Sequence, residues 1–410
     1  MALAQRKQPV RYKHVPEEKA DGATFTPERL AGFVARQIAT ALPATSHRAL
    51  RVLDPALGEG ALLVSLLGAL QAQGIRNVEV HGFDTNAASL GIAERAIRAR
   101  FPLVPIHFRA SNFLEYAGQF ANTLWLFDDA PPGERFDAII ANPPYVRTQI
   151  MGADLAQSLA RRFNLGGRID LYHAFILGMI EVLEENGVAG LIVSNRFMTT
   201  KSGSAVRKVL REAVALKHVW DLGDTKLFEA AVLPAVVVLT KGEARRGPSP
   251  GFTSIYETDD APSRRAGDVI EALSESGAVC IDDGRRFQVT HGVLDLTTAA
   301  NDIWRVATDK ADSWLRTVDD HTWGKFGAIG SIRVGIKTCA DKVFIGSDWD
   351  SIAERERPEL LRPLTTHHMG RRFKADHTKA ARKVLYPHLV IGGQRAAADL
   401  SKYPRSAAYL

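Results

Sequence analysis

An asparagine, two prolines and a tyrosine stand side by side in this chain, as Asn142-Pro143-Pro144-Tyr145. Prolines lack an N–H group and hold the backbone extended, so the carbonyl of Pro143 and the side-chain amide of Asn142 can both face outward as hydrogen-bond acceptors. The aromatic ring of Tyr145 follows directly. Two acceptors beside a ring suit a planar molecule that bears an NH₂ group. The alternative is structural, a Pro-Pro turn with a packed tyrosine.

A second motif, Asp-Pro-Ala-Leu-Gly-Glu-Gly at positions 54 to 60, predicts a ligand-binding loop. It places Asp54, Ala56, Gly58 and Gly60 between a strand-like run and a helical pattern. Glycines let a ligand lie against bare backbone, and the N-terminus of the following helix favours a negative group such as a carboxylate. The Walker-type phosphate loop is absent and the three-glycine dinucleotide pattern is incomplete.

Two further strand ends carry polar or aromatic residues. Asp84 ends the second strand-like run, where a carboxylate can accept two hydrogen bonds from ribose hydroxyls. Asn112 and Phe113 follow the third run. Together with the loop at Asp54, these positions describe a pocket for S-adenosylmethionine, a small adenosine-containing molecule with a carboxylate. The alternatives are structural, because Asp54 and Asp84 could cap helices and Phe113 could lie in the core.

The elements that must position these residues alternate between strand and helix from Leu50 to Thr240. This alternation predicts an α/β fold with a doubly wound, mostly parallel sheet, whose ligands lie at the carboxyl ends of the strands. The last two strands are expected to pair as a hairpin, because the segment between them is too short and polar for a crossover helix. The predicted strands are Leu50–Leu53, Val78–Phe83, Ile106–Arg109, Phe136–Ala141, Ala189–Ser194, His218–Leu222 and Ala235–Thr240, and the predicted helices are Ala61–Ala72, Ala87–Arg98 and Leu171–Glu185.

The charged, Gly- and Pro-rich stretch Lys241–Gly251 predicts a domain boundary. Beyond it the pattern is irregular and indicates a mixed α+β domain. Strand-like pieces occur at Phe287–Thr290, Ile332–Thr338, Lys342–Ile345 and Val384–Pro387. The chain ends in a pattern typical of the start of a helix, so we expect part of this domain to lie beyond Leu410.

Composition and charge narrow the class of protein. With 410 residues, 46% of them hydrophobic and 24% charged, the chain is globular and long enough for two or three domains. Its two cysteines, without a CxxC or His/Cys cluster, predict neither a disulfide nor a metal site and fit a reducing, cytoplasmic setting. The longest apolar run, Ala61–Leu70, is too short to span a bilayer, so no membrane partner is expected.

The basic charge is concentrated at the C-terminal end. Leu361–Leu410 contains ten Lys and Arg residues against two acids, a local net charge of +8, whereas the whole chain carries +6. Such a surface favours a polyanion, because neutralising phosphates supplies most of the non-specific affinity for nucleic acids. A solvated basic face is the alternative.

Taken in order along the chain, these motifs resemble those of the amino-methyltransferases, specifically the TaqI-like N6-adenine DNA methyltransferases of restriction-modification systems. The resemblance starts at Phe25-Thr26-Pro27-Glu28, whose place before the cofactor loop is typical of the gamma class. It continues downstream at Asp170–Phe175, Gly190–Asn195 and Leu227-Phe228. It therefore covers about Thr24 to Thr240, with fainter similarity further on.

The resemblance implies a seven-stranded Rossmann-like methyltransferase sheet with an antiparallel last strand. It implies an N-terminal arm over residues 1–24, a catalytic domain over 25–241 and a DNA target-recognition domain over 252–410. The implied reaction is methyl transfer from S-adenosylmethionine to the N6 amine of an adenine flipped out of double-stranded DNA. Two alternatives stay open: a methyltransferase that acts on RNA or on protein glutamine, and a non-catalytic nucleic-acid-binding defence subunit. A separate cognate restriction endonuclease is also left open as a partner.

The resemblance assigns roles to individual residues. Asn142 and the Pro143 carbonyl would hold the target amine, and Tyr145 would stack on the flipped base. Phe228 would contact the other face or edge of the base, and Phe175 would line the same neighbourhood. Asn112 departs from the aspartate that is common in the family, although its amide oxygen still accepts a hydrogen bond. The implied cofactor-binding residues are Thr26, Asp54, Ala56, Gly58, Gly60, Asp84 for the ribose, Asn112, and Phe113 for the adenine.

Overall fold

The chain is seen here in a computed structural model. It describes residues 26–43, 48–121, 133–145, 170–228, 233–242, 249–295, 303–307, 309–324, 326–331, 335–336, 338, 340–366, 369–371, 374–375, 382–391 and 394–410. The predicted arm at 1–24 and Phe25 of the N-terminal motif lie outside the described residues. Most of the predicted strand Ile332–Thr338 does so as well. The chain divides into two compact units, Met1–Asp319 and Asp320–Leu410.

The first unit contains the predicted sheet. Its first seven strands lie in the order β3-β2-β1-β4-β5-β7-β6, and β7 alone among these seven runs antiparallel to both of its neighbours. The predicted fold class is therefore confirmed, including the hairpin of the last two strands. The seven strands are β1 Leu50–Asp54, β2 Val78–Asp84, β3 Ile106–Ala110, β4 Phe136–Ala141, β5 Leu183–Ser194, β6 Val214–Asp221 and β7 Pro234–Lys241.

Helices cover both faces of this sheet. Alternate residues of a strand point to opposite faces, so Val52 joins one hydrophobic cluster while Leu53 joins the other. We refer to them as the first cluster, which includes Val52, and the second cluster, which includes Leu53. The helices are α1 Glu28–Ala41, α2 Ala61–Ala72, α3 Ala87–Arg100, α4 Phe113–Ala121, α5 Leu171–Val182, α6 Arg196–Thr199 and α7 Ser204–Glu212.

Several predicted boundaries differ from the structure. Helix α3 ends at Arg100 rather than at Arg98, β5 begins at Leu183 rather than at Ala189, and β6 begins at Val214 rather than at His218. Helix α5 ends at Val182 rather than at Glu185, and Leu183 already pairs with Phe136 of β4. Asn186 has a positive φ of 65°, which is the conformation that suggested a helix end. It lies instead in an irregular stretch at the start of β5, where the register against β4 shifts.

The sheet continues past the predicted domain boundary. Strand β8, Gly251–Glu257, pairs in parallel with β6, so residues on both sides of the Gly- and Pro-rich stretch belong to one sheet. The compact units divide at Asp319 and Asp320 instead. The remaining elements of the first unit are β9 Arg264–Ala266, α8 Val269–Ala272, β10 Gly277–Ile281, β11 Arg286–Asp295, β12 Arg305–Ala307 and α9, Asp309–Asp320, which ends at the division. The functional division into a catalytic and a recognition domain stays a prediction.

The second unit has a small core around Trp349, Leu360, Leu385 and Ala398. It contains the three-stranded sheet β13-β17-β14 and two short hairpins, β15 with β16 and β18 with β19. Its elements are α10 Phe326–Ile329, α11 Asp341–Phe344, β13 Ile345–Gly346, a 3₁₀ turn Trp349–Ser351, β14 Leu361–Leu364, β15 Gly370–Arg371, β16 Lys374–Ala375, β17 Arg382–Leu385, β18 His388–Ile391, β19 Gln394–Ala397, a 3₁₀ turn Leu400–Lys402 and α12 Pro404–Tyr409.

Three predictions in the C-terminal half can be compared with these elements. The predicted strand Lys342–Ile345 is wrong, because all but its last residue lie in helix α11. A strand does occur near Val384–Pro387, as β17, and the chain ends in the short helix α12, as its pattern indicated. Among the described residues, none of the helices is long and apolar enough to cross a membrane.

Candidate functional site

The predicted site residues lie at the carboxyl ends of three adjacent strands. Asp84 ends β2, Asp54 ends β1, and Asn142 follows β4 directly. Neighbouring strands of a sheet are about 4.8 Å apart, so these positions line one edge over about 10 Å. The fold therefore brings the predicted cofactor loop and the Asn-Pro-Pro-Tyr motif to the same edge.

Asp54 has a buried carboxyl group, of which only one oxygen has a hydrogen-bond partner among the described residues. Its Oδ1 accepts a hydrogen bond from the backbone N–H of Ala56 at 3.0 Å. Its Oδ2 is buried and has no hydrogen-bond partner among the described residues. Burial raises the pKa of Asp54 to about 7, and the nearby charge of Asp84 adds to the rise. A ligand that brings a cationic donor to Oδ2 would satisfy this oxygen and lower that pKa again.

Asp84 holds the glycine loop in place. One of its oxygens accepts from the N–H of Gly58 at 2.8 Å and the other from the N–H of Asn86 at 2.8 Å. Gly58 and Gly60 have positive φ values of 51° and 85°, and an added Cβ at Gly58 would meet no atom of the described residues within 4 Å. Open space therefore lies beside the bare backbone of Gly58. Asn86, rather than Asp84, caps the following helix.

Asn112 and Phe113 occupy structural positions at the third strand end. The side-chain oxygen of Asn112 accepts from the N–H of Leu114 at 2.9 Å, which caps α4. Phe113 is only 1% exposed and packs against the rings of Phe83 and Phe175, each with its centroid 5.6 Å away. Their contacts with the cofactor stay predictions. For Phe113 such a contact requires the second cluster to open, because its ring is covered in this structure.

The Asn142 amide is held from both ends. Its Nδ2 donates to the hydroxyl of Thr26 at 3.0 Å, and its Oδ1 accepts from the hydroxyl of Tyr145 at 3.1 Å. Thr26 is 7% exposed and precedes helix α1, which packs on the sheet. Because Thr26 takes the NH₂ end of the amide, the oxygen is turned toward Tyr145. This orientation leaves Oδ1 as the acceptor that the sequence motif predicts.

Tyr145 contacts its neighbours through both its hydroxyl and its ring. Its hydroxyl is 3.2 Å from the carbonyl of Ile192 as well as 3.1 Å from Asn142 Oδ1, and its ring packs against that of Tyr172 with 6.2 Å between centroids. Burial raises the pKa of Tyr145, so the phenol stays protonated and donates. The tyrosine hydroxyl thus makes the contact with Asn142 that the motif predicts for an amine.

The two further aromatic residues predicted to meet the target do not lie together. Phe175 is 5% exposed and belongs to the second cluster, whereas Phe228 is 8% exposed and belongs to the first cluster, on the opposite face of the sheet. Phe175 comes from α5, and Phe228 follows the end of β6. The expected common neighbourhood is therefore not formed in this structure, and both contacts stay predictions.

A polar network at the other end of the same edge was not expected from the sequence. Asp221, at the end of β6, accepts from Asn195 Nδ2 at 2.9 Å and from the hydroxyl of Tyr256 at 2.7 Å. Asn195 follows β5, and Tyr256 lies in β8. Asn195 was part of a recognised motif, but Tyr256 lies beyond the predicted domain boundary. Only the parallel pairing of β8 with β6 brings it here.

Glu79, His81 and His107 also meet in the fold, although the sequence predicted no metal site. Their possible ligand atoms lie within 4.8 Å of one another. The rings of His81 and His107 are stacked, with 4.7 Å between centroids and 26° between planes. The lone pairs of imidazole lie in the ring plane, so stacked rings do not point at one common ion. In this arrangement the three side chains do not converge as a set of ligands.

Comparison with known proteins decides the family. A family model described as the Eco57I restriction-modification methylase matches residues 106–228. The chain is 32% identical over 409 residues to the type II methyltransferase M.BanIII of Aneurinibacillus aneurinilyticus, which covers 96% of this chain and 70% of that protein. The chain belongs to the type II restriction-modification methyltransferases. The finer TaqI-like, gamma-class assignment stays a prediction.

The chain is also similar, at lower sequence identity, to another methyltransferase and to a restriction enzyme of known structure. The type II methyltransferase M.BstVI of Geobacillus stearothermophilus is 26% identical over 342 residues, covering 77% of this chain and 58% of that protein. The chain thus spans a little over half the length of M.BstVI. Among solved structures, the type IIG restriction endonuclease BpuSI is 18% identical, covers 78% of this chain and 38% of that chain, and has a TM-score of 0.47.

Members of this methyltransferase family use S-adenosylmethionine, so the predicted cofactor is confirmed. The carboxyl ends of β1 and β2 fit it chemically. Within the part of the chain that the structure describes, Asp54 Oδ2 is a buried acceptor without a partner, suited to an ammonium group, and open space lies beside Gly58. The carboxylate of Asp84 stands at the neighbouring strand end and has lone pairs left for hydroxyl donors.

Proposed function

We propose that the protein transfers a methyl group from S-adenosylmethionine to the exocyclic N6 amine of an adenine flipped out of double-stranded DNA, in the manner of the TaqI-like gamma class. The observation that carries the proposal is the Asn142 amide. Thr26 turns its oxygen toward Tyr145, one strand away from the cofactor loop. When bound, S-adenosylmethionine supplies a methyl group made electrophilic by the sulfonium.

The cofactor end would bind and orient the donor. Asp54 Oδ2 would pair with the ammonium of the methionine moiety, and the bare backbone of Gly58 would lie against the ligand. Gly60 allows helix α3 to pack closely, since an added Cβ would lie 2.9 Å from the Cβ of Ala93. Its own contact with the cofactor stays a prediction. Asp84 would accept from the ribose hydroxyls. Thr26 would also orient the amide of Asn142, because its hydroxyl accepts from Nδ2 of that amide. The hydroxyl keeps its own proton for a further hydrogen bond, so the cofactor contact that the family resemblance implied for Thr26 stays a prediction.

The target end would make the amine nucleophilic. The lone pair of an aromatic amine is delocalised into the ring. Two acceptors on its hydrogens, Asn142 Oδ1 and the carbonyl of Pro143, favour a pyramidal nitrogen whose lone pair is free for in-line attack. Pro144, which also lacks an N–H, would keep this stretch extended. Transfer would break the bond between the methyl carbon and sulfur, with the electron pair left on sulfur as the thioether S-adenosylhomocysteine, and the methylated amine would then lose one proton to solvent. A separate base is not required for the attack itself.

Target entry would involve a rearrangement of Tyr145. Its hydroxyl donates to Asn142 Oδ1 in this structure, and a tyrosine ring that moves to stack on the base would leave this oxygen to the adenine amine. Flipping a base out of a duplex costs a few kcal/mol, and stacking of the base on the tyrosine ring would offset part of this cost. The tyrosine would thus move from a hydrogen-bonding to a stacking position. Phe175 and Phe228 would contact the base only after a comparable movement, since both are buried here.

A nucleic acid is favoured as the substrate by the basic C-terminal end. Of its ten basic residues, Arg362, Arg382, Arg395 and Lys402 are exposed in the structure. Lys383 and Arg405 form ion pairs with acids of the same unit. The exposed residues are therefore the first candidates for phosphate contacts. A cognate restriction endonuclease would be a separate partner.

The test is methyl transfer with isotope-labelled S-adenosylmethionine to unmethylated plasmid DNA, to total RNA and to a protein extract, followed by mass spectrometry of the digested products. We expect N6-methyladenine in DNA. Label in RNA or in glutamine would support the first alternative instead. Cofactor or DNA binding without transfer to any substrate would support a non-catalytic subunit.

A further inference from the structure

The segment Leu222–Phe228, which we call the base-contact loop, links the end of β6 to the aromatic residue predicted to meet the target base. Its backbone has two unusual points, because Gly223 and Lys226 have positive φ values of 48° and 55°. A side chain at Gly223 would collide with the neighbouring strand, since an added Cβ would lie 2.3 Å from the carbonyl oxygen of Ile255. The loop therefore lies directly against β8.

The first attachment of this loop is made by Asp221. Asp221 is 7% exposed, and its Oδ1 accepts from the N–H of Gly223 at 3.2 Å and from Asn195 Nδ2 at 2.9 Å. Its Oδ2 accepts from the hydroxyl of Tyr256 at 2.7 Å. The tyrosine of β8 thus fixes the carboxylate that holds the start of the loop.

Further attachments come from strands β8 to β11, which extend the sheet beyond β6. The N–H of Glu257 donates to Asp224 Oδ1 at 2.9 Å, and Lys226 Nζ lies 3.2 Å from the carboxylate of Glu257. Arg285, in the turn between β10 and β11, donates to the carbonyl of Thr225 at 2.7 Å. Four consecutive loop residues, 223 to 226, are therefore bonded to Asp221 or to this part of the sheet.

The Arg285 side chain is itself held in a fixed geometry. Its Nε donates to Asp283 Oδ2 at 2.8 Å, and its guanidinium lies 5.3 Å from the centroid of the Phe287 ring. A guanidinium that is fixed by a carboxylate and a ring loses little further freedom when it bonds a carbonyl. Arg285 can therefore act as a rigid support for Thr225.

We propose that Tyr256 and Arg285 are positioning residues for target-base capture, through which the strands that follow residue 250 hold the base-contact loop. The inference rests on the proposed function for its substrate and assigns to these strands a second task beside DNA recognition. Neither residue touches the base itself. Each holds a loop whose last residue, Phe228, has to reach the target from the first cluster.

The experiment compares Tyr256→Phe and Arg285→Ala with Arg264→Ala in the full chain. Arg264 lies in β9, at the far end of the strands that extend the sheet beyond β6, and forms an ion pair with Glu275. It is a matched control because this ion pair is remote from the loop in sequence and in sheet order. Four quantities are measured: hydrogen exchange of the peptide that spans 222–228, the single-turnover rate on saturating DNA, the dissociation constant for S-adenosylmethionine, and the unfolding temperature. Arg285→Lys tests whether the charge alone is sufficient.

We expect faster exchange in the 222–228 peptide and a roughly tenfold to hundredfold lower single-turnover rate in both variants, because each loses a hydrogen bond to a charged group. The dissociation constant for S-adenosylmethionine and the behaviour of Arg264→Ala should match the wild type. Arg285→Lys should restore only part of the rate, since it lacks the planar fork.

Unchanged exchange in the loop, or slower transfer that follows only from a lower unfolding temperature, would overturn the proposal. If the wild type methylates no DNA and both variants still loosen the loop, the proposed reaction fails while the attachment of the loop stands. These two failures are thus distinguishable in the same experiment.

Discussion

The two halves of the carboxyl edge differ in how their polar groups are satisfied. At the cofactor end, Asp54 Oδ2 is buried without a partner among the described residues, and the space beside Gly58 is open. At the target end, Asn142 is bonded to Thr26 and Tyr145, and Asp221 is bonded to Asn195 and Tyr256.

This difference indicates two modes of binding on one sheet. Under the proposed function, the cofactor would give the buried oxygen of Asp54 a hydrogen-bond partner without a change in the surrounding side chains. At the target end, side chains of the protein are bonded to one another, and some of these bonds would break when a base enters. Changes at the cofactor end should therefore alter affinity, and changes at the target end should alter the rate of transfer.

The largest effect is expected for Asn142→Ala. Loss of the acceptor removes a contact that strengthens in the transition state, so the single-turnover rate should fall by about a thousandfold or more. S-adenosylmethionine should still bind with a dissociation constant close to that of the wild type. Calorimetry and a quenched-flow assay measure the two quantities. Asn77→Ala, at an exposed position, is the matched control and should behave as the wild type.

The next largest effect is expected for Asp54→Asn, and it should appear in affinity. Loss of the carboxylate should weaken S-adenosylmethionine binding by roughly tenfold to hundredfold, because a charge-assisted hydrogen bond contributes about 1.5–3 kcal/mol. Saturating cofactor should restore most of the rate. A variant that binds normally would remove Asp54 from the cofactor site.

The same residue gives a pH dependence with a defined sign. Its pKa is about 7 in the folded protein, above the ordinary value of 3.8, so the unfolded chain loses this proton first as pH rises. The free energy of unfolding should therefore decrease between about pH 4 and pH 7, and Asp54→Asn should flatten this slope. S-adenosylmethionine affinity should rise over the upper part of the same range, because its ammonium requires the ionised carboxylate. Thermal unfolding and calorimetry across that range test both statements.

A smaller effect is expected for Thr26→Val, which keeps the shape but removes the hydroxyl. If Thr26 orients the Asn142 amide, the transfer rate should fall by about tenfold without a change in cofactor affinity, and Thr26→Ser should restore it. A weaker cofactor affinity with an unchanged rate at saturation would instead support the cofactor contact that the family resemblance implied for Thr26.

The smallest effect is expected for Tyr145→Phe. The ring needed for stacking remains, and the hydroxyl that occupies Asn142 Oδ1 is removed. Target capture should then be unchanged or up to a few times faster, whereas Tyr145→Ala should be slower by about tenfold or more through loss of stacking. Equal losses in both variants, measured by DNA titration at saturating cofactor, would show that the hydroxyl itself is required.

The sequence predicted the sheet well because each strand is a short apolar run that ends in a Gly, Asp or Asn signal. Phe136–Ala141, for example, was found with its observed bounds. The end of α5 was missed because Asn186 adopts the backbone conformation of a helix end inside an irregular strand. The local sequence alone does not show whether a residue with positive φ ends a helix or lies in an irregular strand.

Side-chain partners were less predictable than positions. The sequence placed Asn142 and Thr26 in separate motifs, 116 residues apart, and only the packing of α1 on the sheet brings their side chains to 3.0 Å. Tyr256 was assigned to another domain because the Gly- and Pro-rich stretch resembles a linker. The pairing of β8 with β6 is a long-range interaction that carries no local signature.

The most direct test is the yield of N6-methyladenine in DNA as a function of S-adenosylmethionine concentration, for the wild type, Asp54→Asn and Asn142→Ala. We predict that Asp54→Asn reaches a rate near that of the wild type at high cofactor concentration, whereas Asn142→Ala stays inactive at every concentration. Recovery of Asn142→Ala at high cofactor concentration, or a wild-type product other than N6-methyladenine, would contradict this account.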